Sequence, residues 1–76
     1  MSRPHYARFH KDTRYYEIML QQNLFLEWEV WRVFGRRGTG QSRLFVEPVN
    51  DYQQAKHRFD RLCHYRTTRR HYIQVN

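Results

Sequence analysis

EWEVWRVFGRRGTGQSRLFVE, residues 27–47, is the stretch on which the fold turns. Glu27 to Phe34 is dense in aromatic and β-branched side chains and reads as a strand. Gln41 to Glu47 is a second such run, ended by Pro48. Gly35 to Gly40 joins them, and so short a glycine-bearing link makes the two runs an antiparallel hairpin. In the first run Trp28, Val30, Arg32 and Phe34 share one side, while Glu29, Trp31, Val33 and Gly35 share the other. Each side carries a Trp, so alternation alone does not say which is buried.

Working outward, Arg14 to Gln21 is a preceding strand, with Tyr16, Ile18 and Leu20 on one face and Tyr15, Glu17, Met19 and Gln21 on the other. The connection Gln22 to Leu26 is too apolar for a free loop, and Leu24 or Phe25 is expected to tuck under the sheet. After Pro48, Asn50 is the expected N-cap of a helix running to about Thr67, with Asp51 suited to its positive end. Tyr52, Ala55, Phe59 and Leu62 recur at helical spacing, with Cys63 and Arg66 at the margin of that stripe. His71 to Val75 is a short final strand. The expected fold class is α+β: a small antiparallel β-sheet with one helix packed across it, order β-β-β-α-β. Residues 1–12 carry Arg3, His5, Arg8, His10 and Lys11, lack periodicity, and read as a flexible basic arm; residues 13–76 read as a single domain.

The chain has 76 residues, the size of one small domain, and its core must lean on aromatics, which make up 17% of the sequence. Cys63 is the only cysteine, so no internal disulfide forms and a reducing compartment fits. No run has the apolar length of a signal-peptide core or a membrane span, which makes a cytoplasmic location the expectation. Basic residues number 14 against 7 acidic, giving +7, and all the basic ones except Lys11 and Lys56 are Arg. Arg matches phosphate with a planar fork and stacks on rings, so this skew favours a nucleic-acid partner. An acidic surface, or arginine-rich codon usage with no bearing on partners, are the alternatives. Residues 17–31 carry Glu17, Glu27 and Glu29 and no base, whereas residues 32–46 carry Arg32, Arg36, Arg37 and Arg43 and no acid. The helix and tail add Arg58, Arg61, Arg66, Arg69 and Arg70. A fold that joins the last two blocks makes one positive face.

The glycine–arginine turn is not a nucleotide-hydrolysis motif. A P-loop needs Gly-x-x-x-x-Gly-Lys before a helix, and this turn has no Lys and leads into a strand. Two readings fit the pattern equally. In one, glycines leave backbone N–H groups uncovered as an anion-binding concavity, Arg36 and Arg37 add forked donors, and Phe34 supplies a flat ring. In the other, the arginines are solvated and Phe34 belongs to the core. Cys63 and His64 are adjacent on a helix and cannot act as a pair. The histidines have no compact ligand spacing and the carboxylates are scattered, so neither a metal site nor acid–base catalysis is expected.

Phe34-Gly35-Arg36, followed by Gly38 and Gly40-Gln41, resembles the Trp-Gly-Arg signature of the WGR domain and the glycine-rich turn after it. Tyr15-Tyr16-Glu17, Asn23-Leu24-Phe25 with Trp28, Arg32, the helix positions Ala55, Phe59 and Leu62, and Tyr72 resemble other marks of that family in order and spacing. WGR domains occur in poly(ADP-ribose) polymerases and in bacterial proteins, including small stand-alone ones. In the polymerases the motif Trp and Arg contact DNA near a strand end. The resemblance therefore implies that Phe34 sits against a terminal sugar or base and Arg36 reaches phosphate. The motif Trp is Phe here, which keeps a ring face but loses area and the indole N–H.

The expected function is thus a non-catalytic nucleic-acid-binding module, gripping DNA backbone or a strand end. Its expected site is Phe34, Gly35, Arg36, Arg37, Gly38, Gly40, Gln41 and Arg43, with Arg32, Arg58, Arg61, Arg69 and Arg70 as further contacts. No cofactor, metal, membrane or small-molecule substrate is expected. RNA binding, or a protein partner on sheet aromatics such as Trp31 and Tyr15, are the alternatives.

Overall fold

The computed structural model describes residues 5–76. Its elements are β1 (Tyr6–Lys11), β2 (Arg14–Gln22), β3 (Trp28–Arg36), β4 (Ser42–Val49), α1 (Tyr52–Thr68) and β5 (Ile73–Gln74). Every strand pair is antiparallel, and the order across the sheet is β4-β3-β2-β1-β5. The α+β architecture is as expected, with one strand more than the sequence pattern gave.

That added strand corrects the reading of residues 1–12 as an arm. Tyr6–Lys11 pairs with β2 along its whole length and with β5 through Phe9 and His10. Ala7 and Phe9 are buried, whereas Tyr6, Arg8 and His10 alternate with them on the opposite side. The helix covers only one face of the sheet, so the other face tolerates polar side chains, and the apolar signal of β1 shrinks to those two residues. Arg3, also assigned to the arm, lies outside the described residues.

The core forms where the helix stripe meets the inward faces of the strands: Ile18, Leu20 and Val30 from the sheet, with Ala55, Phe59 and Leu62 from α1. Trp28 packs against this core, and Trp31 falls on the open face with its indole N–H donating to Glu29 at 2.9 Å. Asp51, not Asn50, caps the helix, its carboxylate accepting from the Gln54 N–H at 2.8 Å. Each helix end is pinned by rings. At the start Tyr52 meets Trp28 and His5; at the end Arg66 lies over Tyr16. Pro48 does not end β4 but sits inside it, which an edge strand permits because one side of its ladder is unpaired.

The β2–β3 connection overturns a second expectation. Leu24 and Phe25 do not tuck under the sheet; they are 98% and 82% exposed. Asn23 holds the tip instead. Its side-chain oxygen accepts from Phe25 and Glu27 N–H, and its backbone pairs with Leu26 and Glu27. Polar local bonds fix this turn, so its apolar side chains are not needed for packing. Among the described residues no helix is long and apolar enough to cross a membrane.

Candidate nucleic-acid interface

The β3–β4 turn is shaped by its glycines. Gly38 and Gly40 take positive φ, at 81° and 70°, and Thr39 ties the turn by donating to the Arg36 carbonyl and accepting from the Gln41 N–H. Gly35 has a different reason. A Cβ there would collide with the Gln41 carbonyl oxygen and lie 3.2 Å from the Ser42 Cα. Backbone, unlike a side-chain tip, cannot swing aside. Gly35→Ala is therefore expected to destabilise the domain by about 1–3 kcal/mol, the usual range for overpacking. A urea titration measures this; an unchanged midpoint would mean that the strands need not approach so closely.

A ring ladder crosses the sheet beside this turn. Tyr16 on β2 and Phe34 on β3 are direct cross-strand partners, with centroids 5.1 Å apart and planes within 4°. Phe34 and Phe45 on β4 are stacked at 5.7 Å and 10°. The Arg66 guanidinium lies 3.6 Å from the Tyr16 centroid, over its face. Strands β2 and β4 flank β3 on opposite sides, so both faces of Phe34 are occupied by rings. What Phe34 offers a ligand is its edge, not the stacking face that the motif implied.

Two clefts flank the Phe34-Gly35-Arg36 segment. One, of about 570 Å³, is formed with Gly40, Gln41 and Arg43. The other, of about 360 Å³, gathers Arg14, Arg36, Arg66 and Arg70 under Tyr16 and Tyr72, with no carboxylate in its lining. Among the described residues none of these arginines pairs with an acid. Arg14 and Arg36 are directly opposite each other on β2 and β3, a like-charge pair that costs stability. The Arg66 Nε is buried without a hydrogen-bond partner. Nearby, His10 is held below its ordinary pKa by partial loss of water and by Arg37 and Arg8. The arrangement suits a polyanion: several forked donors converge, nothing local neutralises them, and rings hold them in place.

The family model for the WGR domain matches residues 5–76. The chain belongs to the WGR family. No curated protein and no solved structure gives a significant match. WGR domains are nucleic-acid-binding modules and are non-catalytic in their family.

Within this WGR fold the residues singled out from sequence separate into groups. Phe34, Gly35, Arg36, Gly40, Gln41 and Arg43 share the larger cleft, and Arg70 joins Arg36 in the smaller one. Arg37 turns away, donating from its backbone to the Thr13 carbonyl and from its guanidinium to the Asp12 carbonyl. Gly38 shapes the turn without lining either cleft. Arg32 and Arg58 both face Glu47, at 3.8 and 3.0 Å, so their charge is partly spent within the domain. Arg61 and Arg69 line a separate hollow with Asp60 and His64. The residues that sequence reasoning left out of the site are Arg14, Arg66, Tyr16 and Tyr72. Arg66 gave a signal, being an arginine on the apolar stripe of the helix, and Arg14 falls on the same strand face as Tyr16. Cys63 is half-buried and its thiol is pushed up to about 11 by burial and then by Asp60, which leaves it a poor nucleophile at neutral pH.

Proposed function

We propose that this WGR domain binds DNA backbone, near a strand end or break, through the two clefts around Phe34-Gly35-Arg36. The observation that carries the reading is the cleft of four arginines, Arg14, Arg36, Arg66 and Arg70, with no acid in its lining. The partner that fits is one with closely spaced phosphates, and the clefts sit at one end of the sheet, where a duplex terminus could abut. Phe34 acts chiefly as a spacer that holds Tyr16 and Phe45 apart and sets the position of Arg36.

Fluorescence anisotropy with a labelled duplex tests this. Binding should weaken steeply with added salt, because each neutralised phosphate releases counterions. Arg36→Ala should lower affinity severalfold and reduce the salt slope by about one. Equal affinity of the variant and the wild type would remove the loop from the interface. Comparison of blunt, nicked and closed-circular DNA decides the end preference. A second reading, a protein partner on the open sheet face, draws on Leu44 and Val46, which are exposed on that side beside Trp31. No retention of DNA or RNA at low salt would favour it.

A further inference from the structure

The ring ladder ends at the edge of the sheet. Tyr16, Phe34 and Phe45 stack from β2 through β3 to β4, and β4 is the last strand on that side. The outer face of Phe45 therefore has no further strand to cover it, and the residue is 47% exposed. Arg32, directly opposite Phe45 on β3, holds its guanidinium carbon over the ring at 5.7 Å from the centroid and reaches Glu47 at 3.8 Å. A flat ring held in register by two others behind it is a prearranged stacking platform, so little rotamer freedom is lost when something stacks on it.

Charge beside the platform says what would stack. Arg43 precedes Phe45 by two residues on the same face of β4, roughly 7 Å along the strand. It lines the larger cleft with Arg36 and, among the described residues, pairs with no carboxylate. A single nucleotide spans that distance from phosphate to base. Among polyanions that suit the neighbouring arginine clefts, a nucleic acid repeats this pairing of phosphate and flat ring at every residue. A base inside a duplex cannot reach the platform, because both its faces are already stacked.

We infer that Phe45 and Arg43 form a nucleobase-stacking subsite, which takes one unpaired nucleotide at the single-stranded overhang of a DNA end. This rests on the DNA-binding reading and adds to it a preferred terminus and the ring that reads it. Phe45, not the motif residue Phe34, is then the side chain that touches the base.

The test uses the full chain and three duplexes of equal paired length: one blunt, one with a short 5′ overhang and one with a short 3′ overhang. Each overhang carries 2-aminopurine as its first unpaired base. Stacking on an aromatic side chain should make one overhang bind about fivefold or more tighter than the blunt duplex. It should also change the 2-aminopurine emission on binding. Phe45→Leu keeps an apolar side chain on the ladder but removes the flat face. It should abolish the overhang preference and the emission change while leaving blunt-end affinity within about twofold. Phe45→Trp should retain both, which guards against a variant that merely misfolds. If wild type binds blunt and overhanging duplexes equally and Phe45→Leu behaves like it, the subsite is disproved while the DNA-binding reading stands. If wild type binds none of the three at low salt, the DNA-binding reading fails and the subsite with it.

Discussion

Replacing both Arg14 and Arg36 with alanine should weaken duplex binding about thirtyfold or more while the protein melts no lower than wild type. The two parts of this expectation have the same cause. Arg14 stands directly across from Arg36, and Lys11 directly across from Arg14. Like charges facing one another on a sheet are destabilising, where opposite charges would contribute roughly 0.2–1 kcal/mol, so folding alone gains nothing from them. A bound phosphate reverses the sign. A hydrogen bond to a charged group contributes about 1.5–3 kcal/mol, and two neighbouring contacts that are not fully additive give the loss stated. The salt slope should fall by roughly two, one for each phosphate released. A control pair, Arg61→Ala with Arg69→Ala, removes the same formal charge from the hollow on the far side of the helix. It should leave affinity within a few-fold. An equal loss in both double variants would make binding a matter of net charge, and a large drop in melting temperature for the first would make its arginines structural.

A binding surface kept at some expense to stability explains why parts of the site could be read from the sequence and others could not. Arg36 was legible because it stands in a motif, between a glycine that lets two strands approach and two that make the turn. Arg14 was not, since its meaning lies in register: nothing in Thr13-Arg14-Tyr15 says that β3 will bring Arg36 opposite. Arg66 was half legible. Its spacing placed it with Phe59 and Leu62 on the apolar stripe, but an arginine there makes sense only once Tyr16, Tyr65 and Tyr72 surround its guanidinium. Arg58 shows the converse. It belongs to a basic run along the helix, and its pairing with Glu47 of β4, which partly spends its charge, is not visible in that run.

The same logic separates the elements. β2 and α1 each bury three residues at a fixed period, so the period shows through, whereas β3 buries Val30 with Trp28 and Phe34 packed against the core and was legible by its aromatic and β-branched content. β4 was legible as a strand, although most of it is exposed, because its aromatic and β-branched content is high. The tip at Leu24-Phe25-Leu26 was misread because apolar composition stood in for burial, while Asn23 holds the turn by hydrogen bonds. Phe34 shows the limit of a motif: the residue is where the signature puts it, but Phe45, outside the signature, covers the face that Tyr16 leaves open.

Phe9→Ala should be among the most damaging single substitutions in the domain, and it decides between an arm and a strand. Phe9 is wholly buried, faces Tyr16 across β1–β2 and pairs with Gln74 of β5. Truncating a buried Phe costs about 3–5 kcal/mol, from lost transfer energy and the cavity left behind. At about 0.05–0.15 kcal/mol per residue, a domain of this size has on the order of 4–11 kcal/mol in total. In thermal terms the loss corresponds to roughly 12–40 °C. Were Phe9 part of a loose terminus, the change would stay within about 0.5 kcal/mol, as surface substitutions do. Arg8→Ala supplies the comparison. Arg8 is next in the chain but on the open face, paired with Glu17 at 3.2 Å, and its loss should cost less than about 1 kcal/mol. The damage should also reach the binding surface. Tyr16 is the inner rung of the ring ladder, and Tyr72, just before β5, closes the arginine cleft. Partial unfolding of β1 and β5 would release both, so affinity for DNA should fall at temperatures where the rest of the sheet still holds. Loss of affinity and loss of β1 amide protection on one temperature curve would tie the interface to the strand; affinity that survives the loss of that protection would separate them.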